Sequence, residues 1–177
     1  MNVGNPAEVE GIRDKDRGDL LRELLKLLSE AFGEGLVTVA VFGSVARGES
    51  KPTSDTDILV IAENMPRSMS ERMEALAGIL MRLEASEACR RLRERGISTW
   101  VQFHPLMVDE ARLHRPIYLD MVEDAVILHD RGGFFRSILN GLRGRLEELG
   151  ARRVRLGDGS WLWDLKPDIK RGEVVEI

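Results

Sequence analysis

The hydrophobic positions of the chain follow two spacings, one typical of helices and one typical of strands. Leucines recur every three or four residues from about Asp16 to Phe32, which predicts an amphipathic helix. Short apolar runs rich in β-branched residues predict strands, and Pro105 is expected to end the third of them. The predicted strands are 36–42, 56–62, 97–104 and 126–128. The further predicted helices are about 68–95, 108–113, 116–123 and 134–149.

The two ends of the chain differ from this middle part. The first residues lack hydrophobic periodicity, and we expect a loose leader. Near the other end, two short runs flank Gly157-Asp158-Gly159, which is a hairpin signal, and Trp161 and Trp163 fall on one side of that hairpin. The predicted divisions are a leader over 1–14, a core domain over 15–130 and an extension of helix and hairpin over 131–177.

The order of the elements predicts the fold class. A strand, a turn, a second strand, a long helix and a third strand favour an α+β or α/β core with a small mixed sheet. We expect helices on one face of this sheet and an open cleft on the other.

The composition describes a globular protein, with 43 % hydrophobic and 32 % charged residues. The net charge of −4 argues against binding nucleic acid over the whole surface, whereas an RNA acceptor at a local site stays open. Cys89 is the single cysteine, so no internal disulfide can form. No signal-peptide pattern and no apolar run of membrane-spanning length occurs, so we expect a cytoplasmic protein without a membrane partner.

One segment carries chemistry. The first predicted strand ends at Phe42 and is followed by the turn Gly43-Ser44, while the second strand opens with Asp55 and Asp57. Residues two apart on a strand share a face, so these carboxylates lie side by side, and a divalent cation would relieve their repulsion. Carboxylate oxygens suit Mg²⁺ or Mn²⁺, which also hold substrate phosphates. Together with a turn that favours an anion, the pair predicts phosphoryl or nucleotidyl transfer.

The run GSVARGESKPTSDTDILV, residues 43–60, resembles the signature of the DNA polymerase β-like nucleotidyltransferase superfamily, in particular of its minimal nucleotidyltransferase group. The resemblance depends on several parts in a fixed order between two hydrophobic strands. It implies transfer of a nucleoside monophosphate from a nucleoside triphosphate, with ATP the expected one, to a hydroxyl acceptor. Asp55 and Asp57 would then be the catalytic residues and hold the Mg²⁺ or Mn²⁺.

The same resemblance implies nucleotide-binding roles for other residues of the run. Gly43 lets the backbone approach a phosphate, and Ser44 donates to the β- or γ-phosphate. Arg47 is either a phosphate contact or a solvated loop charge. Ser54 caps or orients the entry to the second strand, close to the metal.

The superfamily carries a third carboxylate on the strand after the long helix, and this chain departs from that pattern. The strand predicted at 97–104 contains no Asp or Glu. Gln102 is the expected occupant of the position, although an amide brings no charge and cannot act as a base. His104 is either a substitute ligand or base, or a polar residue at the end of a strand.

The resemblance also suggests a partner. Members of the minimal group commonly form toxin–antitoxin-like pairs with a helical HEPN protein, and the implied reaction is AMP transfer to a tyrosine of that HEPN-type partner. Two other hypotheses stay open. One is a degenerate nucleotide- and metal-binding module, or antitoxin-like partner protein, without turnover because it lacks the third carboxylate. The other is a tRNA- or antibiotic-modifying transferase, which usually needs a larger acceptor domain.

Overall fold

A computed structural model describes residues 12–157, 160–175 and 177. None of the helices in these ranges is both long and apolar enough to cross a bilayer. The helices are α1 Gly18–Phe32, α2 Gly43–Arg47, α3 Met69–Glu84, α4 Glu87–Glu94, α5 Val108–Ala111, α6 Tyr118–Asp124 and α7 Phe134–Leu149. The strands are β1 Leu36–Phe42, β2 Thr56–Ala62, β3 Val101–Met107, β4 Val126–Asp130, β5 Arg152–Arg155 and β6 Trp161–Asp164.

Strands β1 to β4 form one sheet in the order β3-β2-β1-β4. Strand β1 runs antiparallel to both of its neighbours, whereas β2 and β3 are parallel. Helices α3 and α4 supply the crossover that a parallel pair requires. Strand β1 is an inner strand and is buried at every position, which explains why it is apolar except for Thr38. The predicted α+β class with a small mixed sheet is confirmed.

Helices cover both faces of this sheet, which corrects the expectation of helices on one face only. Helices α1, α3 and α4 pack on one face, against residues that include Val41 and Ile58. Helices α6 and α7 pack on the other, against residues that include Ala40 and Leu59. Neighbouring residues of a strand point to opposite faces, so an inner strand with apolar residues on both faces needs cover on both sides. The expected open face is therefore filled, and polar side chains are left to the ends of the strands.

Two predicted element boundaries are wrong. The helix predicted at about 68–95 is two helices, because Ser86 caps the start of α4 by accepting a hydrogen bond from Cys89 N at 3.2 Å. The third strand begins only at Val101 and continues through Pro105. Proline is tolerated there because β3 is an edge strand, whose outer side needs no N–H donor.

A buried ion pair joins the start of α3 to the far end of β3. The Arg72 side chain is 2 % exposed and donates to both carboxylate oxygens of Glu110, at 2.7 and 2.9 Å. Its other N–H groups donate to the carbonyls of Pro66, Arg67 and Pro105. The sequence pattern does not indicate this pair, since both residues have the spacing of ordinary solvated helix charges.

Only residues 12–14 of the predicted leader can be compared with the structure. Residues 1–11 lie outside the described residues. Ile12 is buried in the first core, and Asp14 caps a short 3-10 helix, Lys15–Arg17, by accepting from two backbone N–H groups. Residues 12–14 therefore pack on the body of the protein and are not part of a loose leader.

The predicted hairpin forms from β5 and β6, which pair antiparallel. Its predicted turn includes residues 158 and 159, which lie outside the described residues. Trp163 packs against the second core, and the Trp161 ring lies 4.5 Å from the guanidinium carbon of Arg153. Both tryptophans thus have protein contacts on the side of the hairpin that they share.

Candidate active site

Asp57 lies at the end of the sheet where β1 stops and β2 begins. It pairs with Phe42 of β1 on one side and with Gln102 of β3 on the other. It shares the face of Leu59, two residues further along, and is half-buried. Asp55 lies one residue before β2 and is exposed. Both carboxylates therefore lie at the same end of the sheet, with Asp55 exposed and Asp57 half-buried.

The turn after β1 is shaped around this carboxylate. Gly43 has a φ of +70°, and a Cβ placed on it would lie 2.5 Å from Asp57 Oδ2. Only glycine satisfies both conditions, because other residues rarely adopt this backbone and would collide with the carboxylate. The next residue, Ser44, is half-buried, and its hydroxyl has no hydrogen-bond partner among the described residues. The carboxylate of Asp57 thus lies against Gly43, and the residue after Gly43 is a serine whose hydroxyl has no partner among the described residues.

The electrostatics of this pair are unfavourable without a cation. The pKa of Asp57 is raised, first because burial disfavours the charged form and also because of the charge on Asp55. His104 and Arg47 act in the opposite direction and do not cancel the effect. A cation bound between the carboxylates would remove this penalty.

Both candidates for the third-carboxylate position border Asp57. Gln102 is its exposed neighbour on β3. His104 Nε2 lies 3.9 Å from Asp57 Oδ1, and its ring stands edge-on to Phe42 with centroids 5.0 Å apart. Burial lowers the pKa of His104, against a raising effect of Asp57. Of these two residues, His104 is the one whose side chain contacts the Asp57 carboxylate.

The other predicted nucleotide-binding residues are partly engaged by the protein itself. Arg47 Nε donates to Glu49 at 2.9 Å, yet its charge also reaches Asp57 and lowers the pKa of that carboxyl. Ser54 Oγ accepts a hydrogen bond from Lys51 N at 2.9 Å in the turn before β2. Ser54 therefore orients the entry to β2, and nucleotide contacts of either residue stay a prediction.

The donor set fits a magnesium or manganese ion that is shared with a substrate. No group of three or more His, Cys, Asp and Glu side chains able to hold a metal occurs in the ranges that the structure describes. Asp55 and Asp57 would thus supply two ligands, and water and phosphate oxygens the rest. That division is usual for Mg²⁺, which keeps several waters and binds through one or two carboxylates plus substrate phosphates.

Sequence reasoning missed one residue close to this site. The Arg17 side chain is 2 % exposed, and its guanidinium donates to the carbonyl of Ser54, directly before Asp55. An arginine at the edge of a leucine-rich helix has the pattern of a solvated charge, so no sequence signal marks it.

Among the known proteins that resemble this chain are two relatives and, among several matching solved structures, one toxin–antitoxin structure. A protein of Methanocaldococcus jannaschii, "Putative protein adenylyltransferase MJ1305", is 27 % identical over 134 residues, which cover 73 % of this chain and 83 % of the relative. "Protein adenylyltransferase MntA" of Thermococcus cleftensis is 44 % identical over 59 residues, covering 30 % of this chain and 58 % of the relative. The solved structure, "Crystal structure of the toxin-antitoxin with AMP-PNP", has 16 % identity and a TM-score of 0.46, over 72 % of this chain and 90 % of that chain.

A family model also matches this chain. The model of the nucleotidyltransferase domain family matches residues 21–117, which is more than half of the chain and includes the Gly-Ser turn, both carboxylates and strand β3. The chain therefore belongs to the nucleotidyltransferase domain family, as the run at 43–60 predicts.

Proposed function

We propose that this chain is a metal-dependent nucleotidyltransferase that transfers a nucleoside monophosphate, AMP in the first instance, to a hydroxyl group of a partner protein. The observation that carries the proposal is the approach of the Asp57 carboxylate to the turn at Gly43, beside Asp55. This approach supports the proposal because a carboxylate that would bind the metal then lies next to the turn that would bind phosphate. The two relatives described as protein adenylyltransferases support a protein as acceptor and ATP as donor.

Each group has a defined part in the transfer. Asp55 and Asp57 would hold Mg²⁺ or Mn²⁺, which when bound would neutralise phosphate charge and make the α-phosphorus more electrophilic. Gly43 and Ser44 bind the β- and γ-phosphates through backbone N–H groups and the hydroxyl. The acceptor oxygen forms a bond to the α-phosphorus, the bond to the bridging oxygen breaks, pyrophosphate leaves, and the hydroxyl proton passes to a base.

The acceptor enters from the side of β3. In an in-line displacement the attacking and leaving oxygens stand on opposite sides of the phosphorus. The phosphate-binding turn lies on the β1 side of Asp57, so the opposite side belongs to β3. There His104 is the candidate base and Trp100, which is 62 % exposed, offers an aromatic surface. A tyrosine of a HEPN-type partner, the acceptor that the family resemblance implies, suits such a surface.

One observation favours a second candidate function. Gln102 stands beside Asp57, where the superfamily has a third carboxylate, and it cannot supply charge or accept a proton as a base. The chain would then be a module that binds nucleotide and metal, as an antitoxin-like partner protein, without turnover.

The two candidates are separated by calorimetric titration of ATP and of GTP, with and without magnesium, followed by mass spectrometry of acceptor proteins. Magnesium-dependent ATP binding with a mass gain of one AMP on an acceptor establishes the transferase. Binding without a mass gain on any acceptor, a HEPN-type protein encoded beside this chain included, supports the binding module. Absence of nucleotide binding contradicts both.

Replacing Gln102 with glutamate tests the β3 side of the site. An added carboxylate next to Asp57 is expected to tighten Mn²⁺ binding by roughly tenfold, equivalent to about 1.4 kcal/mol. Electron paramagnetic resonance of free Mn²⁺ measures this affinity. The matched control is Asn140→Asp, which adds the same charge at an exposed position on α7. Equal Mn²⁺ affinity of Gln102→Glu and wild-type protein would show that residue 102 is not part of the metal site.

A further inference from the structure

We propose that Arg17 is a positioning residue for the nucleotide site: its buried guanidinium, held by Asp14, fixes the loop 48–54 and thereby sets where Asp55 stands relative to the turn at Gly43. We call Asp14, Arg17 and Ser50 the loop clamp. The inference rests on the proposed function, because it concerns the metal-binding carboxylates of that function.

The clamp is centred on the Arg17 guanidinium. Arg17 and Asp14 side chains are 2 % and 8 % exposed, and Arg17 Nη1 lies 2.6 Å from Asp14 Oδ2. Nη2 donates to the carbonyl of Ser54 at 2.8 Å and to that of Lys51 at 3.3 Å. One planar group thus holds both ends of the turn 51–54, and the second end is directly followed by Asp55.

The contact between this N-terminal segment and the loop extends beyond Arg17. Ser50 Oγ donates to Asp14 Oδ2 at 2.6 Å, which ties the middle of the loop to the same carboxylate. At Gly48, an added Cβ would lie 2.7 Å from the Cβ of Arg13, so the two backbones are in close approach. The segment 13–17 therefore runs along the loop from its start to its end.

Apolar packing does not hold this loop. None of residues 48–54 is buried, and the segment GESKPTS contributes no side chain to either hydrophobic core. Polar contacts must then supply its order, because loops without buried apolar contacts are otherwise mobile. The clamp supplies those at Ser50, Lys51 and Ser54, and Ser98 N adds one by donating to the carbonyl of Pro52 at 2.6 Å. The pKa of Asp14 agrees: burial acts to raise it, but the hydrogen bonds from Ser50 and Arg17 and the charge of Arg17 prevail and lower it.

Arg17 lies outside the part of the chain that matches the family. The match to the nucleotidyltransferase domain family begins at residue 21, after the clamp's Asp14 and Arg17. The family match therefore covers the carboxylates and the loop but does not include Asp14 and Arg17, the two clamp residues that hold the loop from outside.

The test compares two buried arginines. Arg17→Gln removes the clamp, and Arg72→Gln, the matched control, removes an equally buried ion-paired arginine at the far end of β3. The probe is α,β-methylene ATP with Mg²⁺, in which the bond broken by transfer cannot be cleaved. Arg17→Gln is expected to weaken its binding by about 10- to 100-fold, the usual effect of losing a residue that orients metal ligands. Arg72→Gln is expected to bind it with wild-type affinity at a temperature where both variants are folded.

Hydrogen exchange gives a readout that a general loss of stability would not produce. In Arg17→Gln the amides of residues 49–55 should exchange faster while those of β1 and β4 keep wild-type rates. If Arg17→Gln does not fold, Ser50→Ala tests the clamp instead, since it removes the hydrogen bond from Ser50 Oγ to Asp14. It should show the same faster local exchange and several-fold weaker nucleotide binding. A folded variant with wild-type hydrogen-exchange rates and wild-type nucleotide affinity would contradict the proposed role of the loop clamp. Absence of binding by the wild-type protein would instead overturn the proposed function.

Discussion

Asp57→Asn is expected to reduce nucleotide transfer by on the order of a thousandfold and to raise the melting temperature of the metal-free protein slightly. The loss follows from removing a charged metal ligand, because the metal contributes several kcal/mol to the transition state, and each 1.36 kcal/mol is a factor of ten. The gain in stability follows from burial and the Asp55 charge, which both disfavour the ionised form and raise the pKa of Asp57. Mass spectrometry of the acceptor and thermal unfolding measure the two effects.

The opposite signs of these two effects make the prediction specific. A carboxylate with only a structural role would lower both activity and stability when replaced. The control is Asp109→Asn at the exposed start of α5, which removes the same charge and should leave transfer within about twofold and stability within about 0.5 kcal/mol. Transfer by Asp57→Asn within about tenfold of the wild-type rate would contradict the assignment of this residue to the metal.

Gly43→Ala is expected to reduce transfer by about a hundredfold even though it adds one methyl group. The new Cβ would stand 2.5 Å from Asp57 Oδ2, so the carboxylate or the turn has to move. A displacement of about 1 Å in a reacting constellation can cost a factor of about 100 in rate. The alanine also has to adopt a φ of +70°, which costs about 1 to 2 kcal/mol of stability.

The chain offers a matched control that separates these two causes. Gly96 has the same φ of +70°, but no atom lies within 4 Å of the position of its added Cβ. Gly96→Ala should therefore lose a similar amount of stability, about 1 to 2 kcal/mol, and keep wild-type transfer. Denaturant unfolding gives the stabilities. Equal activity of the two variants would show that the approach of Gly43 to Asp57 has no part in the reaction.

The family and the core strands were predictable because their signals are local. The turn Gly43-Ser44 and the pair Asp55 and Asp57 stand within one short run, and their order is visible without any knowledge of distant contacts. Strand β1 was equally clear, since a short, Val-rich apolar run between glycines is typical of an inner strand. The sequence also shows that β3 contains no acidic residue, the feature that favours the binding module over the transferase.

The predictions that failed concern contacts between distant residues. Pro105 normally ends a strand, and it lies within β3 only because that strand is at the edge of the sheet. The cover of the second face by α6 and α7 depends on where the chain returns after β3. Arg17 and Arg72 both have the pattern of surface charges, and only their partners far along the chain make them buried.

By itself, the sequence determined most of the elements, the α+β class and the family, because periodicity and short motifs encode them within a few residues. The tertiary structure alone decided that Asp57 meets Gly43 and His104, and that Arg17 holds the loop before Asp55. The reason is physical. Burial, pKa shifts and hydrogen-bond partners are properties of pairs that the fold brings together, and no local pattern records which pairs these are.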